Sequence, residues 1–515
     1  MSKGRRRLGA TLAVVAAFGA NTAQADWAQT MGIGQKSTNL GGAVTATSDD
    51  YDAFYTNPAG AANFDRPFIG FGVKTFDTRG ISVKQTDVNP EFDAFSPGGE
   101  GLDLSPGSTL PGQSIGIVPS GGAYMPVPGM ENLVVGIGNG VPFLVSGNFK
   151  NDNASGNYGK FDTTDASLII VELAPTAALK INDELNVGAS IGVTTFKYFK
   201  VANSIGLQIP ELGITTPVSI GRVELETNSD IGLPVGPWEF ATSPTNVSFT
   251  LGAQYKVLPN FTLGVTYRSE TPETFEGVAN ASFDLSELGI DNPSQAKDRF
   301  RYDVELPRHL QIGMALDVTP EWKVMTDVRW TNWSDAKGFG SPTVIKFAEG
   351  NITPSSGLVA GVRTITADYN AEDTFSLHLG TAYKLTSNLE LQAGYVYDPS
   401  FMPEASLDLI TFSTDRHIFS LGGTYKERTD SGEWAFTLGG QLALYEDGHI
   451  DAGQSSTAGG IVLNTGDVIA NSGNFKFKPN DQGGFDFGGY VWSVGASVSY
   501  KFGAEHASLD DEPLK

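Results

Sequence analysis

Connections of two sharply different lengths alternate along the chain, and this constrains the fold more than any single motif. Pro128 to Glu131, Ile181 to Glu184, Val257 to Asn260, Thr319 to Pro320 and Thr386 to Ser387 are tight turns. Between them lie long connections near 78–113, 148–166, 201–245, 281–299, 334–372, 399–415 and 447–487. The segments they join have a period of two. Trp322, Val324, Val328 and Trp330 share one face against Lys323, Asp327, Arg329 and Thr331, and Leu389, Leu391, Ala393, Tyr395 and Tyr397 alternate with Glu390, Gln392, Gly394 and Asp398. Each such strand has one apolar and one polar face. Fourteen segments qualify, near 68–77, 114–127, 132–147, 167–180, 185–200, 246–257, 260–280, 300–318, 321–333, 373–385, 388–398, 416–428, 432–446 and 488–502. A soluble sandwich has no reason to sort its loops by length. An outer-membrane barrel does, with an even strand number, short periplasmic turns and long external loops. The expected fold is all-β, a 14-stranded antiparallel transmembrane β-barrel.

Aromatic placement agrees, with Trp330 and Trp333 at one strand end and Tyr490, Trp492, Tyr500 and Phe502 bracketing another, as in the girdles at a membrane interface. Hydrophobic residues make up 40% of the chain, enough for a core, which excludes a disordered protein. No apolar run after residue 25 is long enough for a membrane-spanning helix. The net charge of -24 excludes a basic surface for nucleic acid. Lys3, Arg5, Arg6 and Arg7, the apolar run Leu8 to Ala20, and Ala23-Gln24-Ala25 make a secretory signal peptide over residues 1–25. With no cysteine, stability in an oxidising compartment rests on hydrogen bonding and burial.

Fourteen strands lie between small barrels filled by side chains and the larger ones that leave an aqueous channel. Residues 26–66 precede the first strand, have no place in the wall, and suit the lumen as an N-terminal hatch, or plug. Residues 67–502 are then the barrel and 503–515 an acidic periplasmic tail.

The chain resembles the FadL family of outer-membrane transporters for long-chain fatty acids and other hydrophobic compounds. The resemblance rests on Asn57-Pro58-Ala59 ahead of Asp65-Arg66-Pro67, and on Gly264-Val265-Thr266-Tyr267-Arg268-Ser269 followed by Phe275-Glu276-Gly277. It rests also on Asp327-Val328-Arg329-Trp330-Thr331-Asn332-Trp333-Ser334, and on Gly394-Tyr395-Val396-Tyr397-Asp398 before Asp415-Arg416. It implies a bacterial outer-membrane location and passive uptake of a hydrophobic small molecule. In such a mechanism the ligand is caught by external loops, passes to a site beside the hatch, and leaves sideways through a gap at a kink in the third strand. It also implies that the gap lies near Asn57, Pro58 and Ala59. The third strand here contains Gly138, Asn139, Gly140 and Pro142, where glycines weaken pairing and proline donates no ladder hydrogen bond. The alternative for that stretch is a bulge with no transport role.

Candidate ligand-binding residues are the apolar side chains of the loops at 201–245 and 281–295, namely Ile205, Leu207, Ile209 and Leu212, and Phe283, Leu285 and Leu288. Exposed apolar patches mark binding sites, but these residues equally suit packing that only orders the loops. Phe54 and Tyr55 either contact ligand or seat the hatch. Arg329 and Lys323 are candidate partners for a ligand carboxylate, or else balance Asp327 and the other acids. Residues leave open whether the ligand is a fatty acid, an alkane or an aromatic hydrocarbon.

No cofactor, metal site or enzymatic activity is expected. Gly112-Gln113-Ser114-Ile115-Gly116 and Gly188-Ala189-Ser190-Ile191-Gly192 match G-x-S-x-G but start or sit within strands, and that motif carries chemistry only on a strand–turn–helix elbow. The five histidines lack metal-ligand spacing. The other expected partners are outer-membrane lipid and lipopolysaccharide, with the chain a monomer. The rival reading is a general diffusion porin for polar solutes, which requires a lumen free of the hatch.

Overall fold

The computed structural model describes residues 13–16, 32–86, 115–148, 163–209, 214–227, 246–283, 294–350, 363–367, 369–403, 414–450, 461–464, 475–477 and 484–503. Fourteen wall strands follow one another around a ring. They are β1 (Phe68–Thr86), β2 (Ile115–Val127), β3 (Met130–Asn148), β4 (Thr163–Lys180), β5 (Leu185–Ile209), β6 (Val247–Leu258), β7 (Phe261–Arg268), β8 (His309–Asp317), β9 (Trp322–Thr331), β10 (Thr374–Lys384), β11 (Leu389–Asp398), β12 (Arg416–Thr429), β13 (Gly432–Ile450) and β14 (Gly484–Phe502). All neighbours pair antiparallel, and β14 pairs with both β13 and β1, so the sheet closes on itself. Closure removes the exposed edge that an open sheet would offer to other chains.

The alternation read from the sequence is the alternation of lipid and lumen. On β1, Ile69, Phe71 and Val73 are exposed while Gly70, Gly72 and Lys74 are buried. On β9, Val328 is exposed and its neighbour Asp327 fully buried. The outward side chains form a band of Leu, Val, Ile, Phe and aromatic residues that only lipid can cover. Among the described residues no helix is long and apolar enough to cross a membrane.

Some strands extend past the ring. Thr271–Phe283 leaves β6 and pairs instead with Ile214–Thr227, while Ser294–Leu306 pairs with Thr343–Phe347. These segments make an outer sheet whose inner face buries Phe199, Phe275, Phe300 and Tyr302, with ring centroids 5.3 to 6.0 Å apart. The stretches 201–245 and 281–299, read above as loops, are therefore strand over much of their described length. Ile205, Leu207 and Ile209 step by two, which is strand spacing whatever the role of the segment.

Trp333 is also placed differently from the expectation. It is fully buried, stacked on Phe401 at 4.4 Å and edge-on to Phe339 at 5.1 Å, in a knot beyond the end of β9. It anchors a connection rather than a girdle. Ala13–Ala16, inside the apolar run read as the signal peptide, pairs with Ile205–Gln208, where β5 offers backbone groups beyond its last contact with β4. The acidic tail after Gly503 lies outside the described residues.

Candidate functional site

Residues 32–66 fill the centre of the ring. They form the short helices α1 (Gln35–Asn39) and α2 (Ala53–Thr56) and a 3-10 turn over Pro58–Asn63. Helices this short are marginal alone, so tertiary contacts must hold them. Those contacts come from all round the wall. Ser190 of β5 donates to the Phe54 carbonyl at 2.6 Å, Asp327 of β9 accepts from Thr45 N at 3.0 Å, and His378 of β10 meets the Gly41 carbonyl at 2.7 Å. Gln441 of β13 donates to the Thr38 carbonyl at 3.3 Å. Buried backbone groups need such partners because no water reaches them.

Asn57, Pro58 and Ala59 sit at one docking point. The Asn57 amide donates to the carbonyls of Thr45 at 2.7 Å and of Ala253 on β6 at 3.1 Å. Its oxygen accepts from Ala59 N at 3.0 Å and so caps the turn that Pro58 begins. One side chain thus joins two parts of the inner segment to the wall.

On the opposite side of Phe54 the wall changes. The β2–β3 ladder ends at Gly121↔Asn139, whereas β2 stays paired with β1 to Ile115. Among the described residues, β3 from Gly140 onward pairs in a ladder only with β4, and its register slips between Gly140 and Phe143. Three steps on β3 oppose two on β4 there, so one residue is extra, and the slip spans Val141 and Pro142. A bulge of this kind bends its strand. Behind it lie Ile33, Phe54 and Ala174, all buried, with Tyr55 half-buried against them. Phe54 presses so close to β3 that a Cβ at Gly138 would fall 2.0 Å from its ring, and one at Gly140 would lie 3.0 Å from Ile33. The two glycines let the apolar cluster reach the strand backbone.

Phe54 is fully buried and Tyr55 partly exposed. The Arg268 guanidinium stands 5.0 Å above the Tyr55 ring and forms a buried ion pair with Glu172, with Ser248 and Thr250 also in reach. Neither residue of that pair was singled out in the sequence, although Arg268 lies in a motif quoted there. Higher up, Lys197 pairs with Glu273 at 3.3 Å, which also accepts from Thr194 and Asn246. Of the two cations proposed for a ligand carboxylate, Lys323 pairs with Asp317 at 3.5 Å. Arg329 donates to Gln311 at 2.8 Å, and Gln311 in turn donates to Asp327 at 2.8 Å, so an amide stands between that cation and that acid.

Ile205, Leu207 and Ile209 lie on the outer part of β5 and Phe283 ends the strand that faces Ile214–Thr227. Leu212, Leu285 and Leu288 lie outside the described residues, as does Ser114. Ser190 is on β5, not on an elbow, and its hydroxyl is spent on the Phe54 carbonyl. Among the described residues no cluster of acids and histidines could hold a metal.

Inside the inner segment three acids crowd together. Asp49 pairs with Lys36 at 2.8 Å, and Asp52 accepts from Ser37 at 2.5 Å. Burial, with the Asp52 carboxylate beside it, pushes the Asp50 carboxyl up to about 7, and burial raises Asp52 as well. On the short-turn side a cavity of about 250 Å³ opens between this cluster and β9, with Leu40, Val44 and Met325 at its apolar wall and Lys36, Lys323 and Lys384 among its charged groups.

A closed ring of fourteen strands with a filled centre has a counterpart among known families. The model for "Outer membrane protein transport protein (OMPP1/FadL/TodX)" matches residues 10–432. The chain belongs to this family. It is an outer-membrane β-barrel, and a curated relative is outer membrane protein P1 of Haemophilus influenzae, 23% identical over 439 residues, covering 83% of this chain and 87% of that protein. Among solved structures, a Pseudomonas aeruginosa FadL homologue superposes with a TM-score of 0.63 at 16% identity, covering 91% of this chain and 97% of its own. The P. putida toluene transporter TodX superposes with a TM-score of 0.57 at 16% identity, covering 92% and 100%. At these identities the structural likeness shows the fold.

Proposed function

We propose that the protein carries out passive uptake of hydrophobic compounds, long-chain fatty acids or hydrocarbons, across the outer membrane. Residues 26–66 act as the hatch, external segments around Ile205 and Phe283 capture the ligand, and it leaves sideways between β2 and β3. The observation that carries this reading is the interrupted ladder beyond Gly121↔Asn139, set against the apolar cluster of Ile33 and Phe54. Ladder pairing seals the barrel wall sideways, and among the described residues the β2–β3 ladder stops beside the cluster that holds Phe54. Release there passes it directly into hydrocarbon, which is downhill, whereas release into the periplasm is not. The family membership and the toluene transport named for one structural relative agree with a hydrophobic cargo. A transporter of this kind needs no catalytic group.

The test is displacement of a fluorescent fatty acid from the detergent-solubilised barrel by oleate, hexadecane and toluene in parallel. Displacement by oleate alone assigns fatty acids, and displacement by the hydrocarbons assigns an apolar cargo. A barrel that binds no probe, while admitting sugars to liposomes, is a porin.

A further inference from the structure

The gap between β2 and β3 is covered from inside by Ile33, and the wall holds that residue by its backbone rather than by its side chain. Ser120 is the first residue of β2 beyond the last β2–β3 pair. Its hydroxyl donates to the Ile33 carbonyl at 3.1 Å. Lys74, on β1 opposite Val118 of β2, turns inward; its ammonium donates to the Gly32 carbonyl at 2.7 Å and to the Thr38 hydroxyl at 2.6 Å. Both wall groups are buried, at 3% and 4% exposure. Two consecutive carbonyls are therefore gripped from two adjoining strands, at the level where the third strand leaves the ladder.

We infer that Lys74 and Ser120 are positioning residues, a clasp that keeps residues 32–33 across the lateral gap. This rests on the reading of that gap as the exit. Lys74 contributes most, because its amino group holds both the Gly32 carbonyl and the Thr38 hydroxyl at short distances, whereas Ser120 holds the Ile33 carbonyl alone on this segment. Releasing the clasp removes the wall's hold on the Gly32 and Ile33 carbonyls, leaves the apolar contacts of Ile33 with Phe54 and Gly140, and uncovers the gap. The clasp acts on main-chain oxygens, so it tolerates change at position 33 but not at 74.

The chain has no cysteine, so Ile33→Cys provides a single labelling site. Its reaction with a lipid-soluble maleimide is followed in liposomes, in the parent and with Lys74→Met, Lys74→Arg and Ser120→Ala added, after each barrel is shown folded by its heat-modifiable migration. Lys74→Met is expected to speed labelling about tenfold or more, because two buried hydrogen bonds are lost together. Lys74→Arg restores the slow rate and Ser120→Ala gives a smaller rise. Equal rates in the parent and Lys74→Met overturn the clasp. Should Lys74→Met not fold, Ser120→Ala decides by the same comparison. Uptake of a fluorescent fatty acid is measured alongside. A parent that labels slowly, gains label on release of the clasp, and yet moves no fatty acid or hydrocarbon refutes the exit reading and leaves the clasp standing.

Discussion

Asn57 commits both ends of its amide, donating to Thr45 and Ala253 and accepting from Ala59, in a site with no exposure to water. Asn57→Ala leaves buried carbonyls short of donors and is expected to weaken the seating of the inner segment by about 1–3 kcal/mol. Hydrogen exchange of amides 40–60 checks this, and unchanged protection there would refute the docking role. The buried Asp50 and Asp52 give the inner segment an expected pH dependence. Their folded-state values are raised above the usual carboxylate range, Asp50 to about 7. A raised acid contributes stability that is fully present below its unfolded value near 3.8 and is lost as pH rises through the folded value. Protection of the inner-segment amides is therefore expected to fall between about pH 4 and about pH 7 and to level off above that, and Asp50→Asn to flatten that slope; a parent profile already flat over this range counts against the burial argument. The Asn57-Pro58-Ala59 motif was legible in the sequence because proline and a capping side chain have local signatures. The clasp was not, since one inward lysine on β1 looks like any other polar member of an alternating strand.

At the level of elements, the period of two placed all fourteen wall strands, because a wall between lipid and a polar lumen imposes one apolar face on every strand. The outer sheet was missed for a related reason. Beyond the membrane both faces relax, so Ile214–Thr227 and Thr343–Phe347 carry no strong alternation and read as loop. The glycines and proline of β3 were visible in the sequence, but the extra residue in its register against β4 belongs to the pairing, which one strand's sequence does not contain. That extra residue provides a test. Deleting Pro142 puts Gly140, Val141 and Phe143 opposite Glu172, Val171 and Ile170 without a slip. The straightened β3 then extends its ladder toward β2 and narrows the gap. Uptake of the preferred hydrophobic probe is expected to fall at least about tenfold, a barrier of roughly 1.4 kcal/mol or more, while the heat-modifiable band remains. Undiminished uptake by the folded deletion variant would place the exit elsewhere.

For the whole molecule, the ring and its filling are separable in sequence but not in function. The ring closes through β14 and β1, and residues 32–66 take no part in that ladder. The wall should therefore assemble without them, since its energy comes from the outward apolar band and from backbone pairing rather than from the lumen. The lumen is a different matter, because a ring of fourteen strands is wider than the eight-stranded barrels that side chains alone can fill. Without residues 32–66, the inward groups of β6 to β10, including Gln254, Gln311, Asp327 and His378, are expected to face an open polar bore. Deleting residues 26–66 is expected to convert a barrel closed to sugars into a diffusion pore. Swelling of liposomes in arabinose measures this directly: the intact protein should admit sugar no faster than protein-free membrane, and the deletion variant many times faster. Equal, fast swelling with both proteins would mean that the inner segment does not seal the bore. The porin reading would then replace the transporter, because a lumen that passes sugars has no need of a side exit.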